Sequence, residues 1–166
     1  MASVIGEAAP RLFNSPAECG VRALIILNAL LPLRLDMSSL CLYDYFVVHP
    51  QDIEGPESVH PALASRPGEY RVRRTLVEAG VALMRRLHLV DVFDDVSGIL
   101  YGAADDGPAF VDLLSTPYNV RLKASANWLA ERTRAEPEDV FETTLRSAIE
   151  RWTLQFEFEV PAGRAL

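Results

Sequence analysis

Apolar positions recur every three to four residues over most of this chain, and only one short stretch reads differently, as two apolar-rich runs flanking turn residues. The first pattern is that of amphipathic helices, the second that of a β-hairpin. Ser15-Pro16-Ala17-Glu18 opens the first helix as a capping box with proline at the first helical position, and Pro32 stops it near Leu31. Gly20 inside that helix points to the close approach of another backbone. Asp36 caps a second helix, Met37 to about Val48, with Leu40, Tyr43 and Val47 on one face and His49-Pro50 ending it. A third runs from about Glu69 to Leu87 with Val72, Leu76, Ala79, Leu83 and Leu87 as its expected buried stripe. His88, a residue tolerated in the left-handed conformation, stands where a terminating glycine is usual. The hairpin LVDVFDDVSGILYGA turns at Asp94, Asp95, Ser97 and Gly98. Asp106-Gly107-Pro108 then opens a short helix to Leu114, Thr116-Pro117 one to about Arg134, and Glu136-Pro137 a last one to about Phe156. The last helix presents Phe141, Leu145, Ala148 and Trp152 as its stripe.

The order helix, helix, basic helix, hairpin, further helices gives a mostly α (α+β) fold: a winged-helix core with a small hairpin wing and a C-terminal helical extension. Its expected division is an N-terminal arm over 1–14, the core over 15–104 with a long loop at 49–68, the extension over 105–157 and a tail over 158–166. The segment Pro50 to Gly68 holds four prolines and two glycines, and connections of that length are usually functional or disordered.

Composition supports one packed domain: 166 residues, 49% of them hydrophobic. The apolar run Val21 to Leu33 contains Arg22 and Asn28 and is too short for a membrane span, so it reads as the central helix of a small core. Cys19 and Cys41 lie in helix-patterned apolar stretches and are expected as buried free thiols in a reducing cytosol. The N-terminus lacks the pattern of a secretion signal, so a cytoplasmic protein is expected. Leu24, Leu27, Leu40, Val47, Leu76 and Leu83 are expected in one buried cluster, with Tyr43, Tyr45, Phe46, Trp128 and Trp152 more a core set than a base-stacking platform.

Charge changes the picture most. The chain carries −7 overall, yet Arg66, Arg71, Arg73, Arg74, Arg85 and Arg86 gather within one helix-forming stretch against only Glu69 and Glu78. Such an island can neutralise DNA phosphates or meet an acidic protein patch, and equally can be a solvated helix face. Arg71, Arg74 and Arg85 fall off the expected apolar stripe and should reach solvent. The hairpin carries Asp91, Asp94 and Asp95, followed by Asp105-Asp106, and these carboxylates would repel a DNA backbone. His49, Asp52 and His60 offer metal-type ligands in an irregular loop, but no CxxC, HExxH, Walker-type loop or GxGxxG accompanies them. A Ser58, His60, Asp52 triad has no nucleophile elbow to carry it. No catalytic residue, cofactor or metal is expected, and hydrogen-bonded histidines ordering the loop are the simpler reading.

Several phrases lie beyond what composition produces: FNSPAECGVRAL (Phe13 to Leu24), YDYFVVHPQD (Tyr43 to Asp52), GPESVHP (Gly55 to Pro61), RPGEYRVRR (Arg66 to Arg74), GILY (Gly98 to Tyr101) and STPY (Ser115 to Tyr118). Together they make the chain resemble the middle component of bacterial ABC-three-component systems and the related small subunit of Lamassu-type defence systems, from roughly Phe13 to Trp152. The resemblance implies a non-enzymatic accessory subunit in an anti-phage or anti-plasmid complex, with ATP hydrolysis and nucleic-acid cleavage in other chains. Its implied partners are an SMC-like coiled-coil ATPase and an effector subunit, with double-stranded DNA and a homodimer left open. His88 departs from the glycine that such sequences tend to have before the first wing strand. The rival reading is a freestanding winged-helix transcriptional regulator; an enzyme built on the His49, Asp52, His60 loop ranks below both.

Overall fold

A computed structural model of the chain describes residues 15–62 and 66–159, the side chains at 66–69, 71 and 156–159 excepted. Its elements are α1 (Pro16–Ala29), α2 (Met37–Val48), a 3-10 turn (Pro50–Ile53), α3 (Arg66–Arg86), β1 (Val90–Asp95), β2 (Gly98–Ala103), α4 (Gly107–Asp112), α5 (Pro117–Ala135) and α6 (Val140–Glu159). The protein is thus mostly helical, with one small two-stranded antiparallel sheet.

Local signals set the boundaries. Ser15 and Glu18 close a reciprocal capping box, each side chain taking the other's backbone amide at 3.2 Å. Asp36 accepts from Ser39 N at 2.7 Å, and Thr116 from Asn119 N at 3.2 Å. His88 adopts φ 59°, the left-handed conformation that turns α3 into β1. The strands pair from Val90↔Ala103 to Asp95↔Gly98 around a two-residue turn, and Gly98 takes the φ of 124° there. Leu35, between α1 and α2, exchanges both backbone hydrogen bonds with Tyr101 of β2, at 3.0 and 2.8 Å. The linker therefore lies along the hairpin as a short third rung, and Arg34 clamps it by lying 3.4 Å from the centroid of the Phe93 ring.

Of the two apolar helices α2 is the more enclosed: every residue from Ser39 to Val48 is buried. The run around α1 forms a central helix as expected, but shares that place. Leu24, Leu27, Leu40 and Val47 lie in one core cluster with Leu122, Ala126 and Leu129 of α5 and Phe141 and Leu145 of α6. Cys19 and Cys41 are buried free thiols, and burial pushes the Cys41 thiol up to about 12. Around the buried C-terminus of α2, distant segments satisfy the last carbonyls. Ser125 Oγ donates to Val47 O at 2.6 Å, and Val59 N and His60 N both donate to Val48 O, at 2.9 and 3.1 Å. Among the described residues no helix is long and apolar enough to cross a membrane.

One expectation fails on α3. Val72 and Leu87 are 55% and 54% exposed, Ala79 is exposed, and Leu76 and Leu83 are only half-buried. The buried face is instead Arg73, Val77, Gly80, Val81 and Met84, so the helix is turned by roughly one residue, or about 100°. The cause is legible in its neighbours. Gly80 admits the backbone of α1 at Gly20, and Arg73 finds a buried carboxylate in α2. Neither residue registers as apolar in a periodicity argument. Met84→Ala should therefore cost about 2 kcal/mol in urea denaturation and Leu76→Ala well under that. The reverse order would restore the stripe first expected.

Candidate functional site

Two places on this scaffold concentrate chemistry: the outward face of α3 and a polar cluster beneath it.

The outward face is what remains of the arginine island. Arg85 and Arg86 are exposed in the last turn of α3, and Arg74 is exposed while donating to Glu78 Oε1 at 2.9 Å and Ser38 Oγ at 3.1 Å. The side chains of Arg66 and Arg71 lie outside the described residues. Arg73 leaves the island: at 2% exposure it belongs to the interior, which corrects its expected place on a contact surface. Between α3 and the hairpin run two adjoining grooves of about 420 and 530 Å³, which share Ala82 and Arg85 and are edged by Arg74, Arg86 and Asp91. On the adjacent face of the helix the stripe of Val72, Leu76, Ala79, Leu83 and Leu87 stands partly or wholly in solvent. The helix thus shows a partner both guanidinium groups and apolar side chains. The acidic hairpin residues Asp91, Asp94 and Asp95 are exposed beside it.

Beneath this face, Asp44 of α2 is fully buried between two arginines. Arg22 of α1 grips it with both arms, Nε to Oδ1 at 2.8 Å and Nη2 to Oδ2 at 3.1 Å. Arg73 of α3 reaches Oδ2 at 2.6 Å and the Asp44 carbonyl at 3.3 Å. Burial alone would raise the Asp44 pKa, but the Arg22 and Arg73 guanidiniums outweigh it and hold the carboxyl below its ordinary range. The same contest ends with Arg22 above its ordinary value, burial opposing the charge and Asp44 favouring it. Arg22 Nη2 also lies 3.3 Å from Cys19 Sγ, whose thiol burial pushes up.

The loop residues gather close by. Asp52, in the 3-10 turn, accepts from Tyr45 Oη at 2.8 Å. His49 closes α2 at 2% exposure with its ring 4.9 Å from Tyr45, and 6.1 Å from His60. His60 Nε2 lies 2.8 Å from Tyr118 Oη, and the two rings stack at 5.9 Å. The structure therefore brings the three loop residues into one neighbourhood: Asp52 and His60 hydrogen-bond to Tyr45 and Tyr118 respectively, and the His49 ring packs between Tyr45 and His60. Among the described residues no three His, Cys, Asp or Glu side chains converge as a metal-ligand set. Ser58 sits apart, its carbonyl accepting from Arg121 at 3.0 Å. Sequence reasoning missed Arg22, Asp44 and Tyr118. The available signal was Arg22, the one charge of α1 beyond its capping Glu18, and Asp44, the one charge of the apolar α2.

The phrases that carried the family resemblance converge here. Cys19 and Arg22, then Asp44, Tyr45, His49 and Asp52, then His60, Arg73 and Tyr118 come from five of them, and all line this interior. The cluster ties α1, α2, α3, the 49–62 loop and α5 to one another, which is a structural role for a fingerprint without a catalytic motif. No curated protein and no solved structure matches the chain at a significant level. A family model does match, over residues 12–155, and it describes the ABC-three component (ABC-3C) system Middle Component 2. The match takes in α1 to α5 and most of α6, and with it the whole buried cluster: the chain belongs to the Middle Component 2 family of ABC-three-component systems.

Proposed function

We propose that this protein is a non-enzymatic accessory subunit that binds a partner protein of its ABC-three-component system through the outward face of α3. The observation that carries this reading is the make-up of that face. Exposed Val72 and Leu87 continue the apolar stripe beside Arg85 and Arg86, a mixture suited to a protein interface, where apolar contact and arginine are both enriched. A DNA backbone has no use for the apolar half of it, and the exposed hairpin carboxylates oppose phosphate. The partner proposed is an SMC-like coiled-coil ATPase, working with an effector in cytoplasmic anti-phage or anti-plasmid defence, as in Lamassu-type systems. The Leu35–Tyr101 rung supports a winged-helix reading of α1 to β2, since it joins the α1–α2 linker to the hairpin by a single antiparallel bridge. The polar cluster serves this role by fixing α3 relative to α1 and α2, with its histidines and tyrosines as structural partners.

The test is co-purification with the ATPase subunit of the same system. Val72→Glu with Leu87→Glu, and separately Arg85→Ala with Arg86→Ala, should leave the melting transition nearly unchanged, because all four side chains are exposed. Each pair should weaken association by more than about tenfold. Binding to the ATPase should fall shallowly with salt, whereas duplex DNA held by the arginines would lose affinity with a log-log slope of about 0.9 per phosphate. Parental association in both variants would end the proposal, and a steep, apolar-insensitive salt response would favour a DNA-binding regulator.

A further inference from the structure

On the side of the molecule formed by the α1–α2 linker, β2 and the α5–α6 turn lies an open slot of about 560 Å³ that the α3 surface does not use. Its apolar wall includes Leu30, Leu33, Leu35, Leu100 and Phe141. Exposed apolar surface continues beside it, on Leu31 at 38%, Leu33 at 43% and Val140 at 44%. Single exposed aliphatic residues are ordinary, but three around a concave apolar wall form a patch.

The charges at the rim do not cancel. Its two arginines are already committed: Arg34 lies on the Phe93 ring, and Arg134 donates to Ala29 O at 2.6 Å and Leu31 O at 3.3 Å. Asp36 caps α2, and Glu142 accepts from Ser39 Oγ at 2.8 Å and Arg146 Nη2 at 2.7 Å. Glu138 and Asp139 are exposed, and among the described residues neither carboxylate has a hydrogen bond or ion pair. Asp139 is held in a left-handed conformation, φ 65°, which fixes the turn that presents them. At the inner wall, burial raises the pKa of the Tyr43 phenol; the hydrogen bond to Thr133 opposes the rise, and the Glu142 and then the Asp139 carboxylate add to it.

We propose that this slot docks a partner-protein segment in which a large aliphatic or aromatic side chain sits next to a lysine or arginine. The apolar side chain enters between the α1–α2 linker and Phe141, and the neighbouring cation meets Glu138 and Asp139. A lone organic cation would leave the apolar surface at Leu31 and Val140 uncovered, whereas a peptide spans slot and rim together. The site is on a different face from the arginine helix and does not depend on the function proposed for it, so one subunit could hold two partner segments at once.

The probe is a phage-displayed random-peptide library selected on the full chain, followed by anisotropy titration of the enriched peptides. Enriched sequences should share a bulky apolar residue adjacent to Lys or Arg, and binding should weaken with salt. Leu33→Glu, at a half-open position, should abolish it. Glu138→Gln with Asp139→Asn should weaken it about fivefold or more, since Asn also tolerates the left-handed turn. Arg85→Ala with Arg86→Ala should bind as the parent does, which separates this site from the α3 face. No enrichment, enrichment without the cation, or binding that survives both slot variants with their folds intact by circular dichroism would overturn the proposal.

Discussion

Replacing Asp44 with asparagine should cost this protein about 3–5 kcal/mol, a large fraction of the roughly 5–15 kcal/mol that holds a domain together. The shape of the side chain is kept, so packing hardly changes. What changes is that Arg22 and Arg73, at 1% and 2% exposure, lose the carboxylate they share. Two guanidiniums would then sit in the interior around a neutral amide, and each must distort the fold or admit water. Arg73→Met should cost less, because Asp44 keeps the two-armed grip of Arg22 and the methionine fills part of the space. Urea denaturation of the three proteins measures both differences. A loss under about 1 kcal/mol for Asp44→Asn would mean that water already reaches the cluster. The pH dependence follows from the direction of the Asp44 shift. Its folded pKa lies below its unfolded one, so its stabilisation is fully present above the unfolded value of about 4 and is lost as pH falls through the folded value. The parent should accordingly destabilise in acid more steeply than Asp44→Asn, which has no carboxyl there to protonate.

Gly80→Leu should be comparably severe, above about 3 kcal/mol, and by a different route. A Cβ at Gly80 would land on Gly20 N, 2.8 Å from Pro16 O and 2.9 Å from Cys19 C, all backbone of α1. Backbone cannot rotate aside as a side chain can, so α1 must retreat from α3. The retreat would pull Arg22 away from Asp44 as well, so the two substitutions should be strongly non-additive. Gly80→Ala should remain destabilising although alanine is better than glycine in a helix by about 1 kcal/mol. An alanine variant as stable as the parent would show that the two helices can separate freely.

Much of this fold was legible in the sequence because the signals were local. Caps at Ser15, Asp36 and Thr116, prolines at the starts of α1, α4 and α5 and the turn residues of the hairpin each act within a few residues, and the corresponding elements form. Glu136-Pro137, by contrast, does not open α6, which begins at Val140 after the left-handed Asp139. The left-handed His88 was readable for the same reason. The orientation of α3 was not. Two apolar sets wind around that helix, one at Val72, Leu76, Ala79, Leu83 and Leu87 and one at Val77, Val81 and Met84. Periodicity favours the longer set. Choosing the shorter one requires knowing that Arg73 has a partner 29 residues away and that Gly80 meets another glycine. The polar cluster was illegible for the same reason, since Arg22, Asp44, Arg73 and Tyr118 join only in three dimensions. The arginine island was visible as a run of like charge, but a count of charges does not reveal which member is inside.

The C-terminus of α2 has a consequence for how the molecule opens. In most helices the last carbonyls are served by a local cap or by water, so the final turn can fray while the rest stays intact. Here Val47 O is held by Ser125 of α5, and Val48 O by the amides of Val59 and His60 at the far end of the following loop. The loop cannot detach without stranding a buried acceptor, and the helix cannot fray without releasing the loop. A proline-containing connection that composition marks as loose therefore shares the fate of the most enclosed helix, and amide exchange across the two should be lost and regained as one cooperative event.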